Sequence, residues 1–534
     1  MRQHPPKYKP LLFTTTMRNP KRLKGVLNIL KRFNGQNLTN ELATEIMGEL
    51  IRFGLYRPTK EISDDVVQKW GSKRTTETAQ TGIEPLTNEE VSHILENNPQ
   101  DHKEAGFDAG WPSRFATIFD LAKELGFVYY HQGEVIEFSE IGNLLADSIE
   151  ISIEDGVIIL NDAHPEFEQQ AFLNALSKYQ RRNPFVRVLN DNIPLILLLE
   201  VIQKLKNDPD MSDAGISKYE IPFVSFWKDN NADSLYQFIK NFRAENGLTP
   251  SLEVVIDACV DGIMGGDFKK FQPKSLTSDY VDEFIRKMRL TGLISLRGAG
   301  RFLDINQKEL EKVEYIISTY SDYQIYTDEK EYFSHVSTID QNLISASTTP
   351  TTVDEQNTYL EHWVETYSWE VLRKEMLILA KKQLSGDGVL RYLSAPVRLE
   401  FLTSIAIKSK FPDVRVVPNY PVDDEGIPTS TAPGANNTGD IECFENRNGV
   451  LVEVTMSEGR TQTMMEVWPI SRHLAEFNNK VENSMCYFVA PSIYSDSARQ
   501  IEYVNNTDDV TITPRTIEEF LEHLENNDVL YSTA

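Results

Sequence analysis

Two acidic residues stand at the two ends of a predicted β-hairpin in the last third of the sequence. Asp440 begins one run of alternating apolar residues, and Glu453 lies near the end of the next run. Asn448-Gly449, between the runs, is a dipeptide typical of tight hairpin turns. Because strand side chains alternate between faces, Glu453 points away from the face of Val452 and Val454. We therefore expect Asp440 to approach Glu453 across the hairpin.

The chemistry of this pair depends on a cation. Two neighbouring carboxylates raise each other's pKa unless a positive charge lies between them. Mg²⁺ suits such oxygen ligands, because it takes one or two carboxylates together with water and substrate phosphate. We expect Asp440 and Glu453 to bind the ion, with the backbone carbonyl of Val454 as a third oxygen. An ion held in this way can polarise a phosphodiester for hydrolysis. By spacing alone, two solvated acids at a sheet rim are the simpler interpretation.

A motif and three longer blocks carry a resemblance to a known family. Twelve residues separate Asp440 from Glu453-Val454-Thr455, which resembles the PD-(D/E)XK nuclease motif. The stretch GVLVEVTMSEGRTQTMMEVWPISRH, from Gly449 to His473, is similar to the cleavage domain of the AlwI-like type IIS restriction and nicking endonucleases. The blocks FTTTMRNPKRLKGVLNILKRFNGQ and LTGLISLRGAGRFLDIN extend the resemblance over most of the chain.

The resemblance implies a set of site residues. Asp440 and Glu453 would be the metal ligands, and Glu400 and Glu466 would complete the acidic catalytic site. The family also implies cleavage outside a short asymmetric DNA site with Mg²⁺ as cofactor.

One residue departs from the general motif, because Thr455 stands where the lysine of (D/E)XK would be. The work of that lysine would then pass to Glu466, to the metal, or to a cation such as Arg460 or Arg472. Arg472 and His473 could contact the scissile phosphate, and His473 is the less attractive general base, since a metal already activates water.

The elements that must position these residues indicate several domains. A chain of 534 residues holds about three domains at roughly 100–200 residues each. We predict an α+β multidomain protein with a mainly helical N-terminal recognition region and a C-terminal α/β PD-(D/E)XK nuclease domain. The order helix, short hairpin, helix occurs around 112–149 and again around 276–318, which favours winged-helix-like units over plain scaffolding. The predicted divisions are recognition subdomains at 1–155 and 156–320, a linker region with a long helix at 321–385, and the cleavage domain at 386–534.

The charge distribution favours a localised contact with a polyanion. The formal net charge is −26, yet residues 1–60 carry twelve Lys and Arg against three Glu, a balance of 12 − 3 = +9. The remainder is then −26 − 9 = −35. Asn19-Pro20 predicts a helix start, where free N–H groups bind phosphate. A solvated basic helix face is the alternative. The predicted contacts to double-stranded DNA are Arg18, Lys21, Arg22, Lys73 and Arg74.

Other features exclude whole classes of protein. The most apolar stretch, residues 193–202, is too short for a bilayer span and contains Glu200, so we predict a core helix and no membrane contact. Three distant cysteines without a CxxC pair exclude a disulfide framework and a zinc knuckle. No GxxxxGK[ST] loop occurs, which gives no support for ATP-driven translocation. We expect a cytoplasmic location.

The predicted function is a type IIS endonuclease of a restriction-modification system, with a cognate DNA methyltransferase as its genetic partner. One acidic cluster per chain would cut one strand per engagement, so a double-strand break requires a transient homodimer, a small second subunit or sequential nicking. One alternative is a strand-specific nicking endonuclease or the large subunit of a heterodimer. Another is a DNA-binding regulator with an inactive nuclease domain, for which Thr455 is the best support.

Overall fold

The chain divides into two compact units, Met1–Ser347 and Thr348–Ala534. The computed structural model describes all residues except 1–4, 18, 59, 61, 71–82, 102, 104–105, 155, 162–163, 212–214, 266–267, 346–350, 433–437, 460–461, 464–465, 509 and 533–534. Within the described ranges, no helix is both long enough and apolar enough to cross a bilayer. We call the two parts the N-terminal unit and the C-terminal unit.

In the residues that the structure describes, the N-terminal unit is mainly helical and carries three small sheets. Its helices are α1 (Arg22–Lys31), α2 (Asn40–Arg52), α3 (Asp64–Trp70), α4 (Asn88–Asn97), α5 (Trp111–Glu124), α6 (Glu140–Asp147), α7 (Pro165–Leu176), α8 (Pro194–Asn207), α9 (Ile221–Phe226), α10 (Ala232–Asn246), α11 (Leu252–Asp257), α12 (Pro273–Leu276), α13 (Asp279–Arg289), α14 (Leu310–Tyr320), α15 (Glu329–Ser337) and α16 (Gln341–Ile344). Its strands are β1 (Val128–Tyr129), β2 (Glu137–Phe138), β3 (Glu150–Glu154), β4 (Val157–Asn161), β5 (Ile216–Ser217), β6 (Ile294–Arg297) and β7 (Phe302–Ile305).

The order helix, hairpin, helix is present at both predicted places. α5 is followed by the antiparallel pair β1–β2 and then by α6, and α13 is followed by β6–β7 and then by α14. β5 adds a third strand to the second hairpin, in the order β5-β7-β6. Gly126 follows the end of α5 by two residues. Its φ of 74° suits glycine, and a Cβ there would lie 2.9 Å from the Ser337 backbone nitrogen. A winged-helix identity for these two pieces stays a prediction.

Two apolar patterns of the sequence have clear outcomes. The predicted core helix is α8, in which Leu195 to Leu199 are all buried, so this prediction is confirmed. Part of the predicted linker is packed rather than extended, because α15 buries Tyr332 and Val336 at helical spacing. The long helix expected after it is two helices, separated at Tyr367, whose backbone is extended. The predicted domain boundaries themselves stay predictions.

The C-terminal unit is built on one mixed five-stranded sheet. Its strands are β8 (Arg415–Pro418), β9 (Ile441–Glu445), β10 (Asn448–Val454), β11 (Asn483–Ala490) and β12 (Ile512–Thr516), in the order β12-β11-β10-β9-β8. Its helices are α17 (Val353–Thr366), α18 (Trp369–Ala380), α19 (Ala395–Lys410), α20 (Val467–Phe477), α21 (Ser495–Thr507) and α22 (Ile517–Asn526). β10 pairs antiparallel with β9 and parallel with β11, so it lies at the centre of the sheet.

Helices cover the sheet on both faces. On one face, Leu451 and Phe488 form a buried core with Ile470 of α20 and Ile501 of α21. Tyr487 points to the other face, where its ring lies 5.7 Å from that of Phe520 in α22. A central strand covered on both faces reads as a continuous apolar run, which explains the composition of β10 around its single acid.

The hairpin turn lies two residues earlier than the strongest turn signal. Glu445 pairs with Asn448, so the loop is Asn446-Arg447, with Asn446 in the left-handed region at a φ of 55°. Asn448-Gly449 instead begins β10. Glycine is required there by packing, because a Cβ on Gly449 would lie 2.6 Å from the Phe477 ring.

Candidate active site

Asp440 and Glu453 meet at the end of the central hairpin. Asp440 immediately precedes β9, and Glu453 is the penultimate residue of β10. The Val454 N–H donates to Asp440 Oδ2 at 2.8 Å, which places the Asp440 carboxylate beside the end of β10. The two carboxyl groups are close enough that the Glu453 charge raises the pKa of Asp440. The role of the Val454 carbonyl as a metal ligand stays a prediction.

Glu400 reaches the same place from α19. Its Oε2 accepts a hydrogen bond from the Ala432 N–H at 2.8 Å, and the side chain is buried. The charge of Asp440 has a larger effect on the Glu400 carboxyl group than the charge of Glu453 has. The helix therefore adds a third carboxyl group to the pair on the hairpin.

Glu466 is held by the residue that replaces the motif lysine. It lies immediately before α20, and its Oε1 accepts hydrogen bonds from Thr455 Oγ1 at 2.7 Å and from Ser457 Oγ at 3.0 Å. Thr455 is buried, so its hydroxyl is directed at Glu466 rather than at solvent. The threonine anchors the fourth carboxyl group of the cluster.

His473 also belongs to the cluster, through a contact with Glu453 that the sequence analysis did not predict. Its Nδ1 lies 2.8 Å from Glu453 Oε1, and 14% of its side chain is exposed. The available signal was its spacing, because His473 follows Glu466 by seven residues and thus stands two helical turns away on the same face. Arg472 is exposed on α20. Arg460, another candidate for the lysine's work, lies outside the described residues.

Burial raises the pKa of every carboxyl group in the cluster, and repulsion between the carboxylates raises it further at Asp440, Glu453 and Glu400. Burial, then Glu466, raises the pKa of Glu453 to about 8. Burial and the Glu453 charge raise the pKa of Asp440 well above its ordinary value, and burial and Asp440 do the same for Glu400. Burial also raises the pKa of Glu466, although its two hydroxyl donors oppose the shift. Burial and the Arg472 charge lower the pKa of His473.

The donor set fits a hard divalent cation. In the part of the chain that the structure describes, no three His, Cys, Asp or Glu side chains converge in a metal-binding arrangement. A site of two carboxylates, Asp440 and Glu453, does not require a third such side chain, because Mg²⁺ fills its remaining positions with water and phosphate. A cation beside this pair would remove the repulsion that raises their pKa values. The residues present therefore suit the ion that the sequence predicted.

A glycine makes room for the pair. A Cβ at Gly439 would lie 2.2 Å from Glu453 Oε1 and 2.7 Å from Leu451 Cδ1. The Gly439 carbonyl also accepts a hydrogen bond from the Asn419 side chain at 2.6 Å, which fixes the backbone that enters β9. Only a residue without a side chain allows the Glu453 carboxylate to occupy its present position.

The predicted DNA contacts are only partly within the described structure. Arg18, Lys73 and Arg74 lie outside the described residues. Arg22 is half-buried, its Nη2 donates to the Leu55 carbonyl at 3.0 Å, and burial lowers its pKa. This contact gives Arg22 a structural role within the N-terminal unit. Lys21 is half-buried at the start of α1, where its N–H donates to Asn19 Oδ1 at 3.1 Å.

A cluster of carboxyl groups lies at the end of the mixed sheet, and comparison with known proteins gives the chain a family. Residues 123–368 and 374–523 match the model of the AlwI restriction endonuclease family. The chain belongs to this family, and it is a type II site-specific deoxyribonuclease that binds DNA.

Solved structures show similarity at low identity. The small subunit (R.BspD6I2) of the heterodimeric restriction endonuclease R.BspD6I is 21% identical and covers 30% of this chain and 82% of its own, with a TM-score of 0.24. The restriction endonuclease FokI is 12% identical over 97% of this chain and 96% of its own, with a TM-score of 0.26. A comparison with curated proteins found no match.

We predict that Gly439→Ala removes activity without unfolding the protein. The new methyl group must displace the Glu453 carboxylate, and a misplacement of about 1 Å costs roughly 10²-fold in rate. The measurement is the single-turnover rate of DNA cleavage, together with circular dichroism. Gly386→Ala is the matched control, because a Cβ there meets no atom within 4 Å. A Gly439→Ala variant with the wild-type rate would contradict this account of the glycine.

The raised pKa values predict an alkaline loss of stability in a chelator. A carboxyl group with a raised pKa in the folded state stabilises the fold below its unfolded pKa, and this stabilisation is lost as the pH rises through the folded value. For Glu453 that window runs from 4.5 to about 8. In EDTA, the melting temperature should fall across this window by about 4 °C or more. Glu453→Gln should flatten the fall, and Mg²⁺ should oppose it in the wild type. Identical pH profiles for the two proteins would refute the assignment.

Proposed function

We propose that this endonuclease is a Mg²⁺-dependent type IIS enzyme with a PD-(D/E)XK site, which cuts double-stranded DNA outside a short asymmetric sequence. The observation that carries the proposal is the Asp440–Glu453 pair, gathered with Glu400 and Glu466 into one cluster whose pKa values are all raised. Buried like charges destabilise a fold unless a ligand compensates them, and perturbed carboxyl groups of this kind mark functional sites.

Each residue of the cluster has a role in this proposal. Asp440, Glu453 and the Val454 carbonyl would hold Mg²⁺, which supplies Lewis-acid polarisation of the scissile phosphate. His473 orients Glu453 through the 2.8 Å contact of its Nδ1. Glu400 adds negative charge beside Asp440, which strengthens the attraction for a cation.

Glu466 performs the work of the missing motif lysine in this proposal. Thr455 and Ser457 donate to its Oε1. In this proposal its Oε2 accepts the proton of the reacting water. Its raised pKa makes it a better proton acceptor near neutral pH than an ordinary glutamate. The attacking water then gives its proton to Glu466 as its oxygen bonds to phosphorus, the ester bond to the leaving sugar oxygen breaks, and that oxygen takes a proton from a solvent water.

The assembly follows from having one acidic cluster among the described residues of one chain. We propose that one chain cuts one strand per engagement, so that the second strand is cut by a transient homodimer, by a small second subunit, or by a later nick. A cognate DNA methyltransferase would protect host sites, as a restriction-modification system requires. A strand-specific nicking enzyme differs only in the absence of the second cut.

We predict that Asp440→Asn and Glu453→Gln each abolish Mg²⁺-dependent cleavage of plasmid DNA and leave sequence-specific binding intact. A metal centre contributes several kcal/mol to the barrier, so the rate should fall by at least about 10³-fold. The matched control is Glu476→Gln, because this glutamate is exposed on α20.

The same assay separates the enzyme from a DNA-binding regulator with an inactive nuclease domain. A wild-type protein that binds its site and cuts no plasmid with Mg²⁺ would establish the regulator. A double variant, Asp440→Asn with Glu453→Gln, that still cuts would place the active site elsewhere.

We further predict that run-off sequencing of digested DNA returns one recurring asymmetric motif at a constant distance from the cut. A cleavage unit separate from the recognition region reaches a phosphate outside the recognised bases, which is the physical reason for the offset. The strandedness of the product at low and high protein concentration then reports whether a dimer makes the second cut. Cuts without a recurring motif would contradict site specificity of this kind.

A further inference from the structure

Three segments far apart in sequence meet on the surface of the N-terminal unit and concentrate positive charge there. We name the described residues 5–11, 184–190 and 268–275 the strap surface. Together the three segments contain six Lys and Arg and no Asp or Glu. The whole N-terminal unit carries 39 Lys and Arg against 51 Asp and Glu, a net charge of 39 − 51 = −12. The six cations are Lys7, Lys9, Arg187, Lys269, Lys270 and Lys274.

Backbone pairing holds the three segments side by side. On one side of segment 5–11, Lys7 pairs in parallel with Val188. On its other side, Tyr8 pairs in parallel with Phe268. The Leu189 N–H donates to the Lys7 carbonyl at 3.2 Å, and the Lys269 N–H donates to the Tyr8 carbonyl at 2.7 Å. The N-terminal segment is therefore the central member of the surface.

Polar contacts with buried side chains fix the N-terminal segment of the strap surface. The Arg181 guanidinium is buried, and its Nη2 donates to the carbonyls of Lys9 and Leu11. The Phe13 N–H donates to Glu283 Oε1 at 3.2 Å, which connects the chain just after segment 5–11 to α13. These contacts fix the backbone of the N-terminal segment, which carries Lys7 and Lys9.

Most of the cations on this surface are exposed to solvent. Arg187, Lys269, Lys270 and Lys274 are exposed, whereas Lys9 is half-buried. Burial lowers the pKa of Lys9 to about 8; Glu124 and Glu283 oppose this shift, and the charges of Arg181 and Lys269 add to it.

Two acids flank the strap surface along the chain, Asp191 and Asp267. Asp191 follows the second segment, and its carboxylate is engaged by Arg182 at 3.2 Å and by the Tyr323 hydroxyl at 3.1 Å. Asp267, which precedes the third segment, lies outside the described residues. The strap surface also contains three half-buried aromatic residues, Tyr8, Phe268 and Phe271.

We propose that the strap surface binds the phosphodiester backbone of duplex DNA and contributes sequence-independent affinity. This inference rests on the proposed function, because it assumes that the chain grips a duplex while it cleaves. Adjacent strands lie about 4.8 Å apart, so the three segments spread their cations over roughly 10 Å. That width spans several phosphates, which follow one another at about 3.4 Å along one strand of the duplex. The basic helix α1 is a weaker candidate, because its Arg22 is committed to the Leu55 carbonyl.

The test compares two matched double variants of the full-length chain, Lys269→Ala with Lys270→Ala, and Lys60→Ala with Lys103→Ala. All four lysines are exposed in the N-terminal unit. Binding to duplexes of random sequence is measured in EDTA, which prevents cleavage, as a function of salt. The strap variant should lose about two units of the slope of log K against log salt, since each phosphate contact contributes about 0.9, and should bind about tenfold more weakly at low salt. The control pair should keep the wild-type slope.

Lysine acetylation provides a second readout that needs no variant. Bound duplex should protect Lys269, Lys270 and Lys274 from acetylation and leave Lys60 reactive. Unchanged slope and unprotected lysines would overturn the surface while leaving the Asp440 and Glu453 experiments unaffected. Protection by polyglutamate and not by duplex DNA would overturn it in favour of an acidic protein partner. A wild-type protein that binds no duplex would overturn both this inference and the proposed function.

Discussion

The crowding of four carboxyl groups at the end of one hairpin is the constraint on which the C-terminal unit depends. Glu400 and Glu453 are buried, and removing a carboxylate from water is unfavourable by several kcal/mol unless it is paired or hydrogen-bonded. Each carboxyl group accordingly has a donor. Backbone N–H groups serve Glu400 and Asp440, hydroxyl groups serve Glu466, and the His473 ring contacts Glu453.

These donors come from separate elements, which explains the architecture around the site. The central position of β10 sets Glu453 between its neighbours, α19 supplies Glu400, and α20 begins directly after Glu466 and carries His473. Gly439 and Gly449 allow the chain to approach so closely, the first beside Glu453 and the second beneath Phe477. The site is thus a property of the packed sheet and its helices, with no single segment able to form it alone.

Thr455 illustrates how a departure from a motif acquires a physical meaning. Read as a missing lysine, it favours an inactive domain. In the structure its hydroxyl donates to Glu466. This contact supports the proposal that Glu466 takes the catalytic role of the motif lysine. The acidic composition of the chain has a related consequence, because repulsion from a negative surface weakens general DNA binding and makes local basic surfaces more important.

The sequence by itself determined the family, the alternation that directs Asp440 and Glu453 toward each other, the core helix α8 and both helix–hairpin–helix stretches. Such features depend on the period of side chains within one element, and that period is visible in the residues. It also indicated the acids Glu400 and Glu466 through resemblance. The exact turn was displaced, because Gly449 serves packing rather than the turn.

Only the tertiary structure decided which groups hold the acids and where positive charge gathers. The contact of Ala432 with Glu400 joins residues 32 apart, and that of His473 with Glu453 joins residues 20 apart. The strap surface brings together segments separated by more than 170 residues, since Lys9 contacts Asn190 at a separation of 181. No local period encodes such distances, because they follow from how completed helices and strands pack against one another.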